Sequence, residues 1–326
     1  MLLVVTTREH PYTHQWLRKE AGIDLLVATY DEVLRRKRPY QATHIFTDFE
    51  RLPPWRLREA ALLYRSIKAA GLPALNDPAR AFGRFGLLRA LHQAEINRFN
   101  AYRVDEIQAP RQWPVFLRLE GDHGSPVSGL LHNQGDLDLA IELAIKNGAP
   151  VSALLVIEYA AEPVRPGLFR KLSVFRIGDR VLGYPCVHED NWLVKYGKPG
   201  IATPDLYEEE YAFVETNSFG TALMPAFEIA GVEYGRMDFG IVEGRPQIYE
   251  INSNPHVELR PPASPEQRRN DSVALFSANY IDAMKAIDSI ATPAWQLQRT
   301  AMVRSLQAAP SRAGRSARRA FCRLFG

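Results

Sequence analysis

The sequence predicts an α/β (α+β) protein that combines an open parallel sheet with antiparallel hairpins. Its 326 residues are 46% hydrophobic and 24% charged, which is ordinary globular composition and enough for two or three compact units. Near the N-terminus, apolar runs alternate with helical patterns, as in parallel sheets that are covered by helices. Later apolar runs meet in pairs at glycine-containing turns, as in antiparallel hairpins.

Residues 1–77 are predicted to form a small N-terminal domain around the parallel sheet. Its predicted elements are strands over 2–7, 24–30 and 43–49, and a helix over 54–71. Pro54 and Gly71 flank that helix in the expected order, because proline suits the first helical turn and glycine suits the position after the last.

Residues 78–290 are predicted to form the second and larger domain. We expect helices over 79–96, 136–148, within 205–230 and over 264–289, the last with Ser264 as its N-cap. We expect strands at the start of 114–126, over 153–160, and as a pair within 168–190 that turns at Gly178-Asp179.

The last part of the chain, 291–326, is predicted to be a basic and flexible tail. Residues 289–326 contain seven arginines and no acidic residue, whereas the whole chain carries only 40 − 37 = +3 charges. A solvated end is the simpler interpretation, and a basic helix in weak contact with an anionic surface is the alternative. No specific nucleic-acid partner is indicated.

The cysteines and the apolar runs bear on the cellular compartment. Only Cys186 and Cys322 are present, without metal-type spacing, so a reducing environment is favoured over a disulfide framework. No apolar run approaches the ~18 residues of a membrane span, and the N-terminus resembles a first strand more than a signal peptide. We expect a cytoplasmic protein.

The stretch 232–256, "VEYGRMDFGIVEGRPQIYEINSNPH", concentrates polar side chains within an apolar hairpin. Because strand residues alternate between faces, Arg236 and Asp238 should share one face, and Glu250 and Asn252 should share the equivalent face of the second strand. With a turn near Gly244 and no bulge, Asp238 should lie opposite Glu250 and Arg236 opposite Asn252.

Two carboxylates that face each other across a strand pair repel, and a divalent cation between them removes that cost. Magnesium takes oxygen ligands and is commonly bound by one or two carboxylates together with substrate phosphates. Asp238, Glu250 and Asn252 suit this demand, and Arg236 can pair with a phosphate oxygen. The alternative is a half-buried hairpin with a solvated outer face. The rigid polar turn at 252–256 disfavours this alternative.

This hairpin resembles the C-terminal signature of the ATP-grasp superfamily, which includes D-alanine–D-alanine ligases and RimK-like amino-acid ligases. The resemblance extends over about 75–290 and implies a metal site at Asp238, Glu250 and Asn252, with Arg236 steadying the transferred phosphate. It implies ATP and Mg²⁺ (or Mn²⁺) as cofactors, and an N-terminal domain of the open-sheet type that commonly precedes this fold. It also implies that the larger domain has a lid subdomain at about 110–160 and a catalytic subdomain at about 161–290.

The resemblance also implies nucleotide contacts upstream of the hairpin. For the phosphates these are Arg84 (or Arg80), Arg118, and a flap that contains Gly121, Gly124 and Ser125. The family usually has lysine where Arg84 and Arg118 stand, and arginine exchanges a point charge for a planar fork. Solvated surface positions are the alternative for Arg84.

For the base and ribose, the resemblance implies a hinge segment at Glu158, Tyr159 and Ala160, followed by Glu162. Lys195 stands where several relatives have a lysine that binds the γ-phosphate. A surface-loop acid is the alternative for Glu162.

The metal site and nucleotide contacts that the resemblance implies predict an ATP-dependent carboxylate–amine ligase, which acts on small-molecule carboxylate and amine substrates through an acyl phosphate. A small-molecule kinase and a non-catalytic ATP-binding module are the alternatives. The glycine patterns of Rossmann and P-loop sites are absent. The loop after the first strand offers Glu9, His10 and Tyr12 as substrate contacts. The substrates themselves and the oligomeric state are left open.

Overall fold

The structure, a computed structural model, describes residues 1–15, 17, 22–106, 109–122, 124–261 and 263–288. The predicted tail at 291–326 and Cys322 lie outside these residues. The described part of the chain contains three sheets and the helices that pack on them. No described helix has both the length and the apolar character required to cross a membrane.

The strands in chain order are β1 (Leu2–Thr6), β2 (Leu25–Thr29), β3 (Thr43–Phe46), β4 (Ala74–Leu75), β5 (Ala101–Arg103), β6 (Val115–Leu119), β7 (Leu154–Glu158), β8 (Pro163–Arg165), β9 (Leu168–Ile177), β10 (Arg180–Glu189), β11 (Tyr234–Val242) and β12 (Arg245–Asn252). The α-helices are α1 (Tyr12–Gln15), α2 (Tyr30–Arg35), α3 (Pro54–Ala69), α4 (Arg84–Gln93), α5 (Gln134–Lys146), α6 (Pro204–Thr216), α7 (Gly220–Ala230) and α8 (Gln267–Ala286). This mixed content confirms the predicted fold class.

The N-terminal sheet is parallel and has the strand order β2-β1-β3-β4. Alternate residues of β1 enter different cores: Leu3 and Val5 pack with Phe46 and Ile67, whereas Leu2 and Val4 join the main core. Burial on both faces explains why β1 is a continuous apolar run and not an alternating one.

The other two sheets are antiparallel and form the two walls of the larger domain. The three-stranded sheet β5-β7-β6 corresponds to the predicted lid. The larger sheet has the order β10-β9-β11-β12, with β8 paired to β9. Its apolar face carries Met237 and Phe239, which pack in the same core as Phe227 and Phe276 of the covering helices.

Three predicted helix boundaries were wrong. Helix α4 begins only at Arg84, because Pro78–Arg80 forms a separate 3-10 turn and Gly83 is the N-cap. The predicted helix within 205–230 is two helices, α6 and α7, divided at Asn217, which has a left-handed backbone (φ 44°). Ser264 is not the N-cap of α8, which begins at Gln267 after Glu266.

The predicted pairing in the β11–β12 hairpin is confirmed, but it arises differently from the prediction. Asp238 lies opposite Glu250 and Arg236 opposite Asn252. The turn has two residues, Glu243 and Gly244, both at positive φ. That turn alone would place Asp238 opposite Tyr249.

A β-bulge beyond Asp238 leaves Tyr249 unpaired and restores the register of Glu250. The bulge also lets Tyr249 and Glu250, which are neighbours in the chain, line the same cavity. The Tyr249 hydroxyl donates a hydrogen bond to the Ala160 carbonyl (2.8 Å) and so ties the hairpin to the lid.

Gly240 provides the space for that tyrosine. A Cβ at Gly240 would lie 2.1 Å from the Tyr249 hydroxyl oxygen. We therefore expect Gly240→Ala to displace the hydroxyl from Ala160 and to lower the free energy of unfolding by about 1–3 kcal/mol, as overpacking does, measured by urea denaturation. Gly129→Ala is the matched control, because no atom lies within 4 Å of its added Cβ. Equal stability of the two variants would contradict this role of Gly240.

Candidate active site

One cavity lies between the lid sheet and the β9–β11–β12 surface. It is lined by ten residues that the sequence predicted for the site: Arg84, Arg118, Gly124, Glu158, Tyr159, Ala160, Glu162, Lys195, Asp238 and Glu250. Ser125, Arg236 and Asn252 do not line it. The fold thus brings together positions from five separate parts of the chain.

Asp238 is an enclosed acidic group of the cavity, with a side chain only 6% exposed. Its carboxylate accepts hydrogen bonds from Arg236 Nε (2.8 Å) and Ser173 Oγ (2.9 Å), and Lys171 Nζ lies 3.2 Å away. Burial by itself raises the pKa of this carboxyl, but the Arg236 and Lys171 cations outweigh it, so the pKa lies below its usual value. Asp238 is therefore held as a carboxylate.

Glu250, the opposite carboxylate, is 27% exposed and pairs with Arg84 (2.7 Å). Arg84 is the first residue of α4, so this contact links the start of the second domain to the β11–β12 hairpin. Each acid of the hairpin therefore has a cationic partner that lies outside the hairpin, Lys171 for Asp238 and Arg84 for Glu250.

Arg118 and Arg84 are neighbouring arginines in the same cavity. Burial and the adjacent Arg84 cation lower the pKa of Arg118 to about 10. Arg118 donates to the flap carbonyls of Asp122 (3.3 Å) and Gly124 (3.2 Å). The Nε donors of both arginines are buried and have no hydrogen-bond partner among the described residues. Such donors are suited to an anionic ligand.

The donor chemistry at Asp238, Glu250 and Asn252 fits a magnesium ion that is shared with phosphates. Two carboxylates and one amide oxygen are hard oxygen ligands, and Mg²⁺ usually completes its shell with phosphate and water. Asn252 Oδ1 accepts the Asn254 N–H (2.8 Å), and an amide oxygen has a second lone pair. No cluster of three or more His, Cys, Asp or Glu side chains suited to a metal occurs in the described ranges, so a protein-only metal cage is not formed there.

The predicted acids of the hinge already have structural partners. The Glu158 carboxylate is buried and accepts hydrogen bonds from four donors: Asn100 N, Tyr102 Oη, Arg111 N and Gln112 N. The Glu162 carboxylate accepts the Glu243 N–H (2.8 Å) at the hairpin turn. The Glu158 side chain holds the lid together, and the Glu162 side chain joins the lid to β11–β12. Because both carboxylates are already hydrogen-bonded, the hinge would bind a nucleotide base through its backbone N–H and C=O groups.

Sequence reasoning missed Lys171. β9 pairs with β11 so that Ser173 lies opposite Asp238, and Lys171 is on the same face of β9. That strand order joins positions more than 60 residues apart, and the local pattern around Lys171 contains no signal of it.

Trp192 was also missed. It lies 5.0 Å from the Phe116 ring and 5.7 Å from the Tyr159 ring, measured between centroids, at the hinge side of the cavity. Its loop is fixed by Glu189, whose carboxylate accepts the N–H groups of Lys195, Tyr196 and Gly197. Lys195 lines the cavity within the same loop. The Trp192 ring meets the Phe116 ring at 50° and the Tyr159 ring at 79°. The three rings form an apolar wall of the cavity, against which a planar base can pack.

The lowered pKa of Asp238 predicts a pH effect of Lys171→Met. A carboxyl whose folded pKa is depressed adds stability above its unfolded pKa, about 3.9, and loses it as the pH falls through the folded pKa. Removal of Lys171 raises the folded pKa, so we expect acid unfolding to begin at higher pH and stability at pH 7 to fall by about 1.5–3 kcal/mol. Urea denaturation as a function of pH measures both.

Lys198→Met is the control, because Lys198 pairs with Asp190 and both side chains are 57% exposed. We expect that change to stay within about 1 kcal/mol at every pH. Identical acid limbs for the two variants would contradict the proposed coupling of Lys171 to Asp238.

No protein-family model matches the sequence, and no curated protein matches it. Among solved structures, D-alanine–D-alanine ligase from Bacillus anthracis superposes with a TM-score of 0.50 at 11% identity, covering 88% of this chain and 97% of that chain. VanG D-Ala:D-Ser ligase from Enterococcus faecalis follows with a TM-score of 0.47 at 13% identity, covering 87% and 98%. Because the second TM-score is below 0.50, only the match to D-alanine–D-alanine ligase supports the assignment of the fold. The chain therefore has the ATP-grasp fold, which confirms the resemblance seen in the sequence at the level of fold.

Proposed function

We propose that this protein is an ATP-dependent carboxylate–amine ligase that forms an amide through an acyl phosphate and releases ADP and phosphate. The observation that carries the proposal is the pair of carboxylates at Asp238 and Glu250, each matched with a cation, in a cavity that also holds Arg118. A shared fold alone does not fix a reaction, so the argument depends on this site.

The charge balance of the site supports a bound metal–triphosphate. The two acids of the hairpin, Asp238 and Glu250, have four basic neighbours, which gives an excess of positive charge at this end of the cavity: Arg84, Arg118, Lys171 and Arg236. When a divalent cation and phosphates bind together, the cation replaces the basic partners of the carboxylates and the phosphates replace the acidic partners of the bases. Every charge then keeps a partner of opposite sign.

Particular residues are suited to each part of the ligand. Asp238, Glu250 and Asn252 would hold Mg²⁺ (or Mn²⁺), which neutralises phosphate charge and orients the transferred group. Arg118, Arg84 and Lys195 would bind phosphate oxygens, beside the flap amides of Gly124 and Ser125. Tyr159 and Ala160 would contact the base beside Trp192.

The remaining residues account for the chemistry without a protein nucleophile. Phosphoryl transfer to a carboxylate requires positioning and charge neutralisation above all. Arg236, which makes two hydrogen bonds to Asp238, would stabilise negative charge that develops on the transferred group. D-alanine–D-alanine ligase, the solved structure with the matching fold, carries the name of a ligase that joins two amino acids.

The proposal is tested by measuring ADP release with Mg²⁺ across a panel of carboxylates, each with and without amines. We expect ADP release that requires both substrates, and a fall of about 10²-fold or more in Asp238→Asn and Glu250→Gln because the metal loses a charged ligand. Glu208→Gln is the control, since Glu208 forms an exposed pair with Arg268.

Two outcomes would overturn the ligase assignment. ADP release that needs no amine indicates a kinase, and tight Mg-ATP binding without turnover on any pair indicates a binding module. Thermal unfolding of each variant shows whether lost turnover reflects lost folding.

Arg118→Met separates binding from stability. Since burial and Arg84 both disfavour the Arg118 cation, we expect the ligand-free variant to be at least as stable as the original protein. We expect its Kd for Mg-ATP to rise about 10-fold or more, because a charge-assisted phosphate contact is lost. Calorimetry measures both quantities. A less stable variant with an unchanged Kd would contradict the phosphate role of Arg118.

A further inference from the structure

The N-terminal sheet has a topological switch point that the proposed nucleotide site does not use, and open parallel sheets form a crevice at such a point. In the order β2-β1-β3-β4, the chain leaves β1 toward β2 on one side and leaves β3 toward β4 on the other. Open parallel sheets bind ligands where neighbouring strands diverge in this way, at their carboxyl ends. Thr7 and His10 follow β1, and Asp48 follows β3, at this point.

These residues form a histidine–aspartate pair. His10 Nδ1 lies 3.0 Å from Asp48 Oδ2, which also accepts a hydrogen bond from the Thr7 hydroxyl. Arg51 Nε binds the other carboxylate oxygen at 2.9 Å. The Asp48 side chain is 2% exposed and that of His10 is 22% exposed, so the carboxylate is enclosed while the ring reaches the crevice.

The contact with Asp48 assigns the two ring nitrogens different roles. An Nδ1–H that donates to the carboxylate leaves a lone pair on Nε2. Nε2 forms no hydrogen bond with any residue in the described ranges. His10 therefore presents a free proton acceptor at the switch point.

The backbone of Asp48 is held in a conformation that few non-glycine residues adopt. Its φ is 58° and its ψ is 21°, in the left-handed region, and its N–H donates to Ser253 Oγ (2.9 Å). Such outliers cost about 1 kcal/mol or more and persist where the surroundings enforce them, commonly at functional sites. Here the outlier aims the carboxylate at His10.

Ser253 places this pair relative to the proposed metal site. It directly follows Asn252, and it joins the N-terminal domain through Asp48 and through Glu50, to which its hydroxyl donates (2.6 Å). Along β12, Tyr249 lies at the hinge side of the cavity, Glu250 faces Asp238, and Asn252 and Ser253 follow. The contact between Ser253 and Asp48 therefore lies at the end of β12 away from the hinge, beyond the proposed phosphate site.

We propose that His10, oriented by Asp48, accepts the proton of the amine substrate in the second half-reaction; this rests on the proposed function. The amine nitrogen attacks the carbonyl carbon of the acyl phosphate and a C–N bond forms. The C–O bond to phosphate breaks, and phosphate leaves with the bonding electrons. The proton released from nitrogen passes to His10 Nε2, and Asp48 stabilises the resulting imidazolium.

The charges around His10 suit an amine. The Asp48 carboxylate contacts His10, and the Glu50 carboxyl is linked to Asp48 through Ser253. Arg51 is already paired to Asp48, and the Tyr12 ring lies 6.0 Å from that of His10 between centroids. An ammonium substrate is attracted by the Asp48 charge. It loses one proton to solvent before it attacks, and the second proton, released after the C–N bond forms, passes to His10. Asp48 is a positioning residue, because its carboxylate acts through the imidazole.

The test separates the two half-reactions with hydroxylamine. Hydroxylamine traps an acyl phosphate as a hydroxamate and needs little help from a base, because it is a strong nucleophile that is largely uncharged at neutral pH. In His10→Gln we expect hydroxamate formation from ATP and the carboxylate to continue at the original rate. We expect amide formation with the amine substrate to fall about 10²-fold in kcat with little change in the KM of the amine.

Two further variants keep the test decisive. Asp48→Asn should reproduce the selective loss of amide formation, since asparagine tolerates the left-handed backbone but cannot stabilise the imidazolium. His132→Gln, an exposed histidine on the lid, should leave both reactions unchanged. Thermal unfolding identifies any variant that fails to fold.

The outcomes are distinguishable from failure of the proposed function. If the original protein forms no hydroxamate, the ligase assignment itself fails. If it does, the proton-acceptor role is overturned when His10→Gln keeps full amide formation. It is also overturned when His10→Gln loses both reactions equally, which would indicate that His10 binds the carboxylate substrate.

Discussion

Two carboxylates on paired strands, with their cationic partners, are the interaction on which the site depends. Asp238 is almost fully enclosed, and an isolated buried charge of this kind would cost several kcal/mol. Arg236, Lys171 and Ser173 offset that cost by direct contact. The bulge at Tyr249 is the backbone feature that brings Glu250 opposite Asp238. The arrangement is a balanced set of charges that is poised to exchange partners with a metal and phosphates.

The same hairpin contacts the lid, helix α4 and the N-terminal sheet. Tyr249 binds the Ala160 carbonyl and Glu162 binds the turn at Glu243, so the lid is attached at two points. Arg84 connects Glu250 to α4, and Ser253 connects the hairpin to the N-terminal sheet. A ligand that alters the charges at Asp238 and Glu250 therefore acts on contacts to the lid and to both domains.

Much of this architecture could be predicted from local patterns, and the errors have physical causes. Alternation in β11 correctly separated Arg236 and Asp238 from the buried Met237 and Phe239. The bulge was not predictable, because a two-residue turn and an unpaired Tyr249 together give the same pairing as an unbulged hairpin with a longer turn. Lys171 was missed because its partner Asp238 is distant in sequence. The start of α4 was missed for a similar reason, since Glu120 of the lid approaches its N-cap Gly83 only in the folded chain.

The central claim is that side-chain oxygens of Asp238, Glu250 and Asn252 converge on one divalent cation that also binds a nucleoside triphosphate. Anomalous scattering from Mn²⁺ in crystals grown with a non-hydrolysable ATP analogue tests it most directly. The account predicts a manganese peak between Asp238 and Glu250, in contact with the β- and γ-phosphates, with Lys171 and Arg84 released from the two acids. A triphosphate bound elsewhere, or manganese bound without either carboxylate, would contradict it.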